Sequence, residues 1–200
     1  MSEGTLGQLI ILSGPSGAGK STVVRRLLSE CDLPLKLSIS ATTRAPRPGE
    51  QQGQQYFFMS DEEFERCREA GEFLECKEVF GLGSWYGTLR EQVTTGLEAG
   101  DWVILEIDVQ GALAVMEDKS LKPITLFMHP GGMEELEERL RKRGTECEAA
   151  IGIRLETALS EMQSMHRYQY EVINGSVDQA VAEICQILKD QKEQHPCSKS

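Results

Sequence analysis

No apolar run in this chain of 200 residues approaches the roughly 20 residues needed to span a bilayer, and Met1 to Gly7 hold no basic stretch leading into an apolar core. The expectation is a cytoplasmic protein with neither membrane span nor export signal. Basic residues are in deficit, with 21 Lys and Arg against 32 Asp and Glu, a net charge of −11 and a pI near 4.8. General nucleic-acid binding, which runs on basic surfaces, is therefore excluded. Six cysteines stand at positions 31, 67, 76, 147, 185 and 197, no two of them separated by two residues, and no Cys/His set has zinc-ligand spacing. They read as scattered reduced thiols. Internal repeats are absent. What remains, at 40% hydrophobic and 26% charged, is an ordinary composition for one well-buried domain.

The apolar pattern alternates between strand and helix. Gln8–Ser13, Trp102–Asp108, Ile124–Met128 and Glu171–Asn174 read as core strands. Lys20–Glu30, Leu89–Ala99, Met133–Arg143, Glu148–Arg167 and Val177–Lys192 read as helices. Such alternation predicts an α/β fold, a parallel sheet flanked by helices. The rhythm breaks between Lys36 and Tyr86. There, short strand-like pieces (Leu37–Thr42, Gln55–Met59) surround one helix, Asp61–Ala70, with Ser60 and Glu63 as its capping box and Gly71 as its stop. This stretch reads as a small α+β insertion. Arg139–Arg154 is a second polar, Arg-rich interruption, with Thr145 and Glu148 as another capping box. Residues 191–200 read as a frayed tail. The expected partition of one domain, 1–200, is a core (7–35, 89–136, 156–190), an insertion (36–88) and a lid (137–155).

Between the first strand and the first helix stands GPSGAGKS, Gly14 to Ser21, which meets the pattern G-x-x-x-x-G-K-[ST]. Its chemistry is a ring of backbone N–H groups at a helix N-terminus, aimed at phosphate oxygens. Gly14, Pro15, Ser16, Gly17, Ala18, Gly19, Lys20, Ser21 and Thr22 are the residues expected at the phosphates of ATP or GTP. Lys20 would bridge the β- and γ-phosphates, and the Ser21 hydroxyl would hold Mg²⁺. Further on, Arg44 and Arg47 lie three apart on a segment stiffened by Pro46 and Pro48. Two guanidinium forks so placed can clamp a monophosphate, or simply line a solvated loop.

TTRAPRPGE at Thr42–Glu50, QYFF from Gln55, GEFLE at Gly71–Glu75, WYGT at Trp85–Thr88, LEIDVQG at Leu105–Gly111 and RLRKRGTE at Arg139–Glu146 together resemble guanylate kinase. The resemblance runs from about Gly7 to about Leu188. It implies the fold of a P-loop nucleoside monophosphate kinase, with a GMP-binding insertion and a helical lid. The activity it implies is phosphoryl transfer from ATP to GMP, and also to dGMP, with Mg²⁺ as cofactor. Arg44, Arg47, Tyr56 and Tyr86 match positions that hold the GMP phosphate; Ser40, Glu75 and Thr88 match those that read the guanine. Glu106 and Asp108 fall in the same acceptor group, and Asp108 can also reach the Mg²⁺ shell through water. Arg139, Arg143 and Arg154 match the lid, with Asn174 near the adenine. Lys20, Arg47, Arg143 and Arg154 are the expected catalytic residues.

The chemistry agrees with those matches. An ionised Glu75 only accepts hydrogen bonds, and guanine offers it the N1–H and the 2-amino group, whereas adenine would present a lone pair at N1. The lid arginines would stabilise charge on the transferring oxygens, or else pair with neighbouring glutamates. Glu106 departs from the family's usual Asp, Gly175 replaces an Asp, and Lys142 stands where Gly is frequent. Expected partners are ATP and GMP, with no nucleic acid and no membrane; the oligomeric state is left open. Insertion and lid are expected to close over GMP and ATP respectively. Two rival readings are a P-loop kinase for another acceptor and a non-catalytic guanylate-kinase-like module for phosphopeptides.

Overall fold

The computed structural model describes residues 7–79, 83–142 and 148–194. In chain order the elements are β1 (Gln8–Ser13), α1 (Lys20–Glu30), β2 (Leu35–Leu37), β3 (Ala41–Thr42), β4 (Phe57–Phe58), α2 (Asp61–Glu69), β5 (Phe73–Val79) and β6 (Ser84–Leu89). They continue with α3 (Arg90–Glu98), β7 (Trp102–Glu106), α4 (Val109–Glu117), β8 (Ile124–His129), α5 (Met133–Lys142), α6 (Glu148–Met162), β9 (Tyr170–Ile173) and α7 (Val177–Gln194).

Five strands form a sheet in the order β2-β7-β1-β8-β9, and every pairing in it is parallel. Parallel strands joined through helices bury both sheet faces, and β1 shows this residue by residue. Ile10 and Leu12 enter the cluster with Val23, Val24 and Leu27 of α1 and Ala180, Val181, Ile184 and Leu188 of α7. Leu9 and Ile11 enter the opposite cluster, with Val93 of α3 and Val109, Ala112 and Val115 of α4. The carboxyl ends of β1 and β7 thus open together on one edge of the sheet, where ligands of open α/β folds bind.

A second sheet, β4-β3-β6-β5, makes up the insertion. Phe64 of α2 stacks on Phe73 of β5 with ring centroids 4.5 Å apart, and both belong to a separate small core with Ala41 and Cys67. The expected capping box is formed, with the Ser60 hydroxyl accepting from the Glu63 N–H and the Glu63 carboxylate from the Ser60 N–H. Leu74 of β5 instead packs into the core cluster under α3 and α4, so the insertion docks on the core at that strand.

Several boundaries differ from the sequence pattern. Leu37 was expected in the insertion, but β2 pairs with β7 (Leu35↔Trp102, Leu37↔Ile104) and closes the edge of the core sheet. β5, β6 and α4 were not anticipated as elements. The expected helix over Glu148–Arg167 ends as α6 at Met162, followed by a separate 3₁₀ turn, Met165–Arg167. α7 continues to Gln194, and Gln191, expected in a frayed tail, donates to the Tyr170 hydroxyl at 2.7 Å. Arg143 and the Thr145 half of the second capping box lie outside the described residues. No described helix is long and apolar enough to cross a membrane.

Candidate active site

Gly14 begins the turn that follows β1. Its φ is +137°, and a Cβ there would lie 2.0 Å from the Met128 carbonyl oxygen, so only glycine lets the loop pass against β8. Gly19, at φ +92°, opens α1; no described side chain caps this terminus and its first turn holds no acid. The positive end of the helix dipole is therefore left facing the loop. The Lys20 ammonium reaches back to the carbonyls of Gly14 at 2.5 Å and Pro15 at 3.0 Å. Ser21 donates through its hydroxyl to Glu106 Oε1 at 2.5 Å, which ties α1 to the end of β7.

Two residues expected at the nucleotide brace the loop from outside. Asn174, 1% exposed, donates through Nδ2 to the Ala18 carbonyl at 2.7 Å. Arg139 donates to the carbonyls of Asn174 at 2.6 Å and Ala18 at 3.4 Å, and pairs with Glu135. In this arrangement Asn174 Nδ2 and two Arg139 nitrogens hold protein carbonyls and position the loop, while the buried Asn174 Oδ1 has no hydrogen-bond partner among the described residues. Arg154 is half-buried on α6. Arg141 and Lys142, to which no site role was given, pair with Glu137, Glu148 and Glu138.

The second cluster lies on the insertion. Arg44 Nε donates to the Tyr86 hydroxyl at 3.0 Å, and its Nη2 pairs with Glu50 at 3.0 Å. Its guanidinium lies 5.3 Å from the centre of the Tyr56 ring, and the Tyr56 and Tyr86 rings meet edge to face at 5.7 Å. Arg44 is thus held on three sides before any ligand arrives. Arg47 is exposed, and its backbone N–H donates to Glu50 at 2.7 Å. Glu50, the last residue of the TTRAPRPGE segment and given no role there, orients both arginine positions, and the Arg44 guanidinium beside it holds its carboxyl below the usual range.

Deeper in, a cavity of about 130 Å³ is lined by Ser40, Tyr56, Glu75, Lys77, Tyr86, Gly87, Glu106, Ile107 and Asp108. That is about the space of four water molecules, the scale of one planar base. Thr88 donates to Glu75 Oε1 at 2.7 Å. Register shifts between Phe73 and Glu75, a bulge that frees Leu74 for the core and aims Glu75 at the cavity. Burial pushes the Glu75 carboxyl above its ordinary range, against the Thr88 hydrogen bond and the Lys77 charge. Asp108 caps α4 by accepting the Gly111 N–H at 2.9 Å and forms an ion pair with Lys77. The other cavity acid, Glu106, takes the Ser21 hydroxyl, which makes it a bridge between cavity and phosphate loop.

The sequence reading missed Lys77 and Glu161 as well as Glu50. Lys77 stands two residues after Glu75, on the same strand face, a period-2 signal. Glu161 stands two helical turns after Arg154. It faces Lys20, Lys77 and the Ser16 N–H, and burial pushes its carboxyl up.

The sequence model of guanylate kinase matches residues 6–191. A guanylate kinase of Rhodopirellula baltica is 66% identical over 194 residues, covering 97% of this chain and 93% of that protein. One from Caldanaerobacter subterraneus is 49% identical over 186 residues, 93% of this chain and 88% of the relative. Among solved structures, the guanylate kinase of Anaplasma phagocytophilum superposes with a TM-score of 0.74 at 33% identity, over 94% of this chain and 87% of that one.

Proposed function

The chain belongs to the guanylate kinase family, and we propose that it moves the γ-phosphoryl group of ATP to GMP, yielding ADP and GDP, with the labour divided between the loop and the insertion. The observation that carries this reading is one continuous arrangement. Glu75, held by Thr88, looks into a base-sized cavity; Arg44, held by Tyr86 and Glu50, stands on the same insertion; and Glu106 links the cavity to Ser21 of the phosphate loop.

Guanine enters with its N1–H and 2-amino donors toward Glu75 and its O6 toward the Ser40 hydroxyl, the Thr88 proton being already given to Glu75. Its phosphate lies against Arg44, Arg47, Tyr56 and Tyr86, where Arg44 is preorganised and loses little freedom on binding. ATP lies with its phosphates in the loop from Gly14 to Thr22, Lys20 supplying charge at the β- and γ-oxygens. A phosphate oxygen of GMP is already a competent nucleophile, so alignment and charge neutralisation do most of the work. Arg154 and the loop-bracing Arg139 belong to the donor side, with Arg143 outside the described residues. dGMP serves as a second acceptor, since the expected contacts fall on base and phosphate and not on the 2′-hydroxyl.

Hard oxygen donors suit Mg²⁺, and the Ser21 hydroxyl against the Glu106 carboxylate provides that chemistry at the end of the loop. Asp108, engaged by Lys77 and Gly111, supports the metal shell only at longer range. When bound, the ion neutralises charge on the triphosphate. ATP and GMP meet in the cytoplasm, which is where the protein works on this reading.

A panel of nucleoside monophosphates offered with ATP, read by ADP release, tests the proposal. Turnover of GMP and dGMP above that of AMP, dTMP and CMP is expected. Preference for any of the other three would overturn the role given to Glu75.

A further inference from the structure

We propose that Lys77 is a positioning residue for the acceptor site, clamping strand β5 of the insertion to the amino end of α4 through Asp108. The inference rests on the GMP reading of the cavity and adds to it the residue that holds the cavity together.

Three placements lead to it. First, the base reader and the clamp share a strand face: Glu75 pairs across β5–β6 with Thr88, and Lys77 pairs with Tyr86, whose hydroxyl holds Arg44. Lys77 thus stands in the row between the base reader and the phosphate clamp. Second, its ammonium pairs with Asp108, which already caps α4, and both side chains are less than a third exposed (27% and 30%). The pair therefore joins insertion to core across a covered gap, unlike the solvated i,i+4 pairs of the lid, which count for little. Third, the same amino end of α4 comes up against Glu75 itself: a Cβ at Gly111 would fall 2.8 Å from Glu75 Oε2. Both functional residues of β5 meet the core at that one helix terminus.

The charge pattern gives Lys77 a second effect. The cavity carries three carboxylates, Glu75, Glu106 and Asp108, with Lys77 as its only cation among the lining residues, and Glu161 faces Lys77 from α6. A nucleoside monophosphate is a near-dianion at neutral pH. Without Lys77 the free oxygen of Asp108 would stand unpaired where that anion approaches, and β5 would lose its tether. Both consequences weaken binding of the acceptor, while the donor loop keeps its own Lys20 and Ser16 contacts with Glu161.

The test is Lys77→Met, which keeps the stem and removes the charge, beside Lys77→Arg, which restores charge and reach. Lys77→Met is expected to raise KM for GMP about tenfold, with KM for ATP within about twofold of the parent. Lys77→Arg is expected to recover most of the loss, and thermal melts should show all three proteins folded. A KM for GMP unchanged in Lys77→Met would overturn the proposal. So would equal rises in both KM values, which mark general loosening, or failure of Lys77→Arg to rescue. If the parent enzyme itself turns over no GMP, the underlying reading of the cavity falls; if it does and Lys77→Met matches it, only this inference falls.

Discussion

Replacing Glu75 with Gln tests the acceptor reading at its centre. The carboxylate has two oxygens, one already receiving the Thr88 hydroxyl at 2.7 Å, and lone pairs enough to accept from guanine N1–H and from the 2-amino group. Glutamine keeps the shape but presents one oxygen and one NH₂. If the oxygen stays with Thr88, the NH₂ faces a guanine donor. Loss of one charge-assisted hydrogen bond costs about 1.5–3 kcal/mol, and a buried donor facing a donor about 1–3 kcal/mol more. Part of this is returned, because burial already disfavours the Glu75 carboxylate and glutamine has no charge to desolvate. A net loss of about 2–4 kcal/mol is expected, roughly a 30- to 700-fold rise in KM for GMP. Glu75 lies on β5 of the insertion, so KM for ATP should stay within about twofold. A second comparison sharpens the test. IMP lacks the 2-amino group, so the parent enzyme should prefer GMP to IMP strongly, and Glu75→Gln should narrow that preference. Steady-state kinetics with both acceptors gives every quantity. Equal rises in the two KM values, or an unchanged ratio of GMP to IMP, would refute the reasoning.

Lys20→Ala should leave the circular dichroism spectrum unchanged and lower kcat by about 10²–10³, as loss of one preorganised donor to the transferring group does; near-normal turnover would remove the phosphate-loop assignment. Gly111→Ala should leave the circular dichroism spectrum unchanged, since Gly111 stands in the first turn of α4 and the atom its methyl would meet is the end of a side chain. It should still raise KM for GMP about tenfold by displacing Glu75 Oε2, which lies 2.8 Å from the new methyl position. The dependence on pH follows from the raised Glu75 pKa. As pH falls the carboxyl takes up a proton and loses acceptor capacity, so KM for GMP should climb, beginning above the range of an ordinary glutamate. In Glu75→Gln that acid limb should flatten, and a limb of the same shape would assign it to another group.

The donor loop was legible in the sequence because everything it needs is contiguous. A buried strand, glycines for the turn and an uncapped helix start occupy Gln8 to Glu30 without reference to the rest of the chain. The acceptor side was legible only through resemblance, since Glu75 alone is an ordinary acid until a bulge and Thr88 aim it. β5 escaped notice because Leu74 and Cys76 serve different cores, the first under α3 and α4 and the second within the insertion, so the strand shows no clean alternation. α4 escaped because its exposed face, Gln110, Ala114 and Glu117, has an alanine at its middle, which breaks the polar stripe that reveals a helix. Lys77 and Glu106 depend on partners 31 and 85 positions away, Asp108 and Ser21, and no local pattern carries such a pairing.

The acidity of the chain bears on this last point. A protein of net charge −11 that binds two polyanions would be expected to keep carboxylates away from its site, yet Glu75, Glu106, Asp108 and Glu161 gather there. Each meets a proton donor or a cation: Thr88 for Glu75, Ser21 for Glu106, Gly111 and Lys77 for Asp108, and the Ser16 N–H for Glu161. On the proposed reading the acids act as acceptors with fixed partners, set to select guanine and orient hydroxyls. On the same reading the task of meeting phosphate falls to the loop, Lys20 and Arg44, and the extra methylene of Glu106 gives that scheme its span. A carboxylate shorter by roughly an ångström would leave the 2.5 Å contact with Ser21, and with it the one direct side-chain link from acceptor cavity to donor loop among those described.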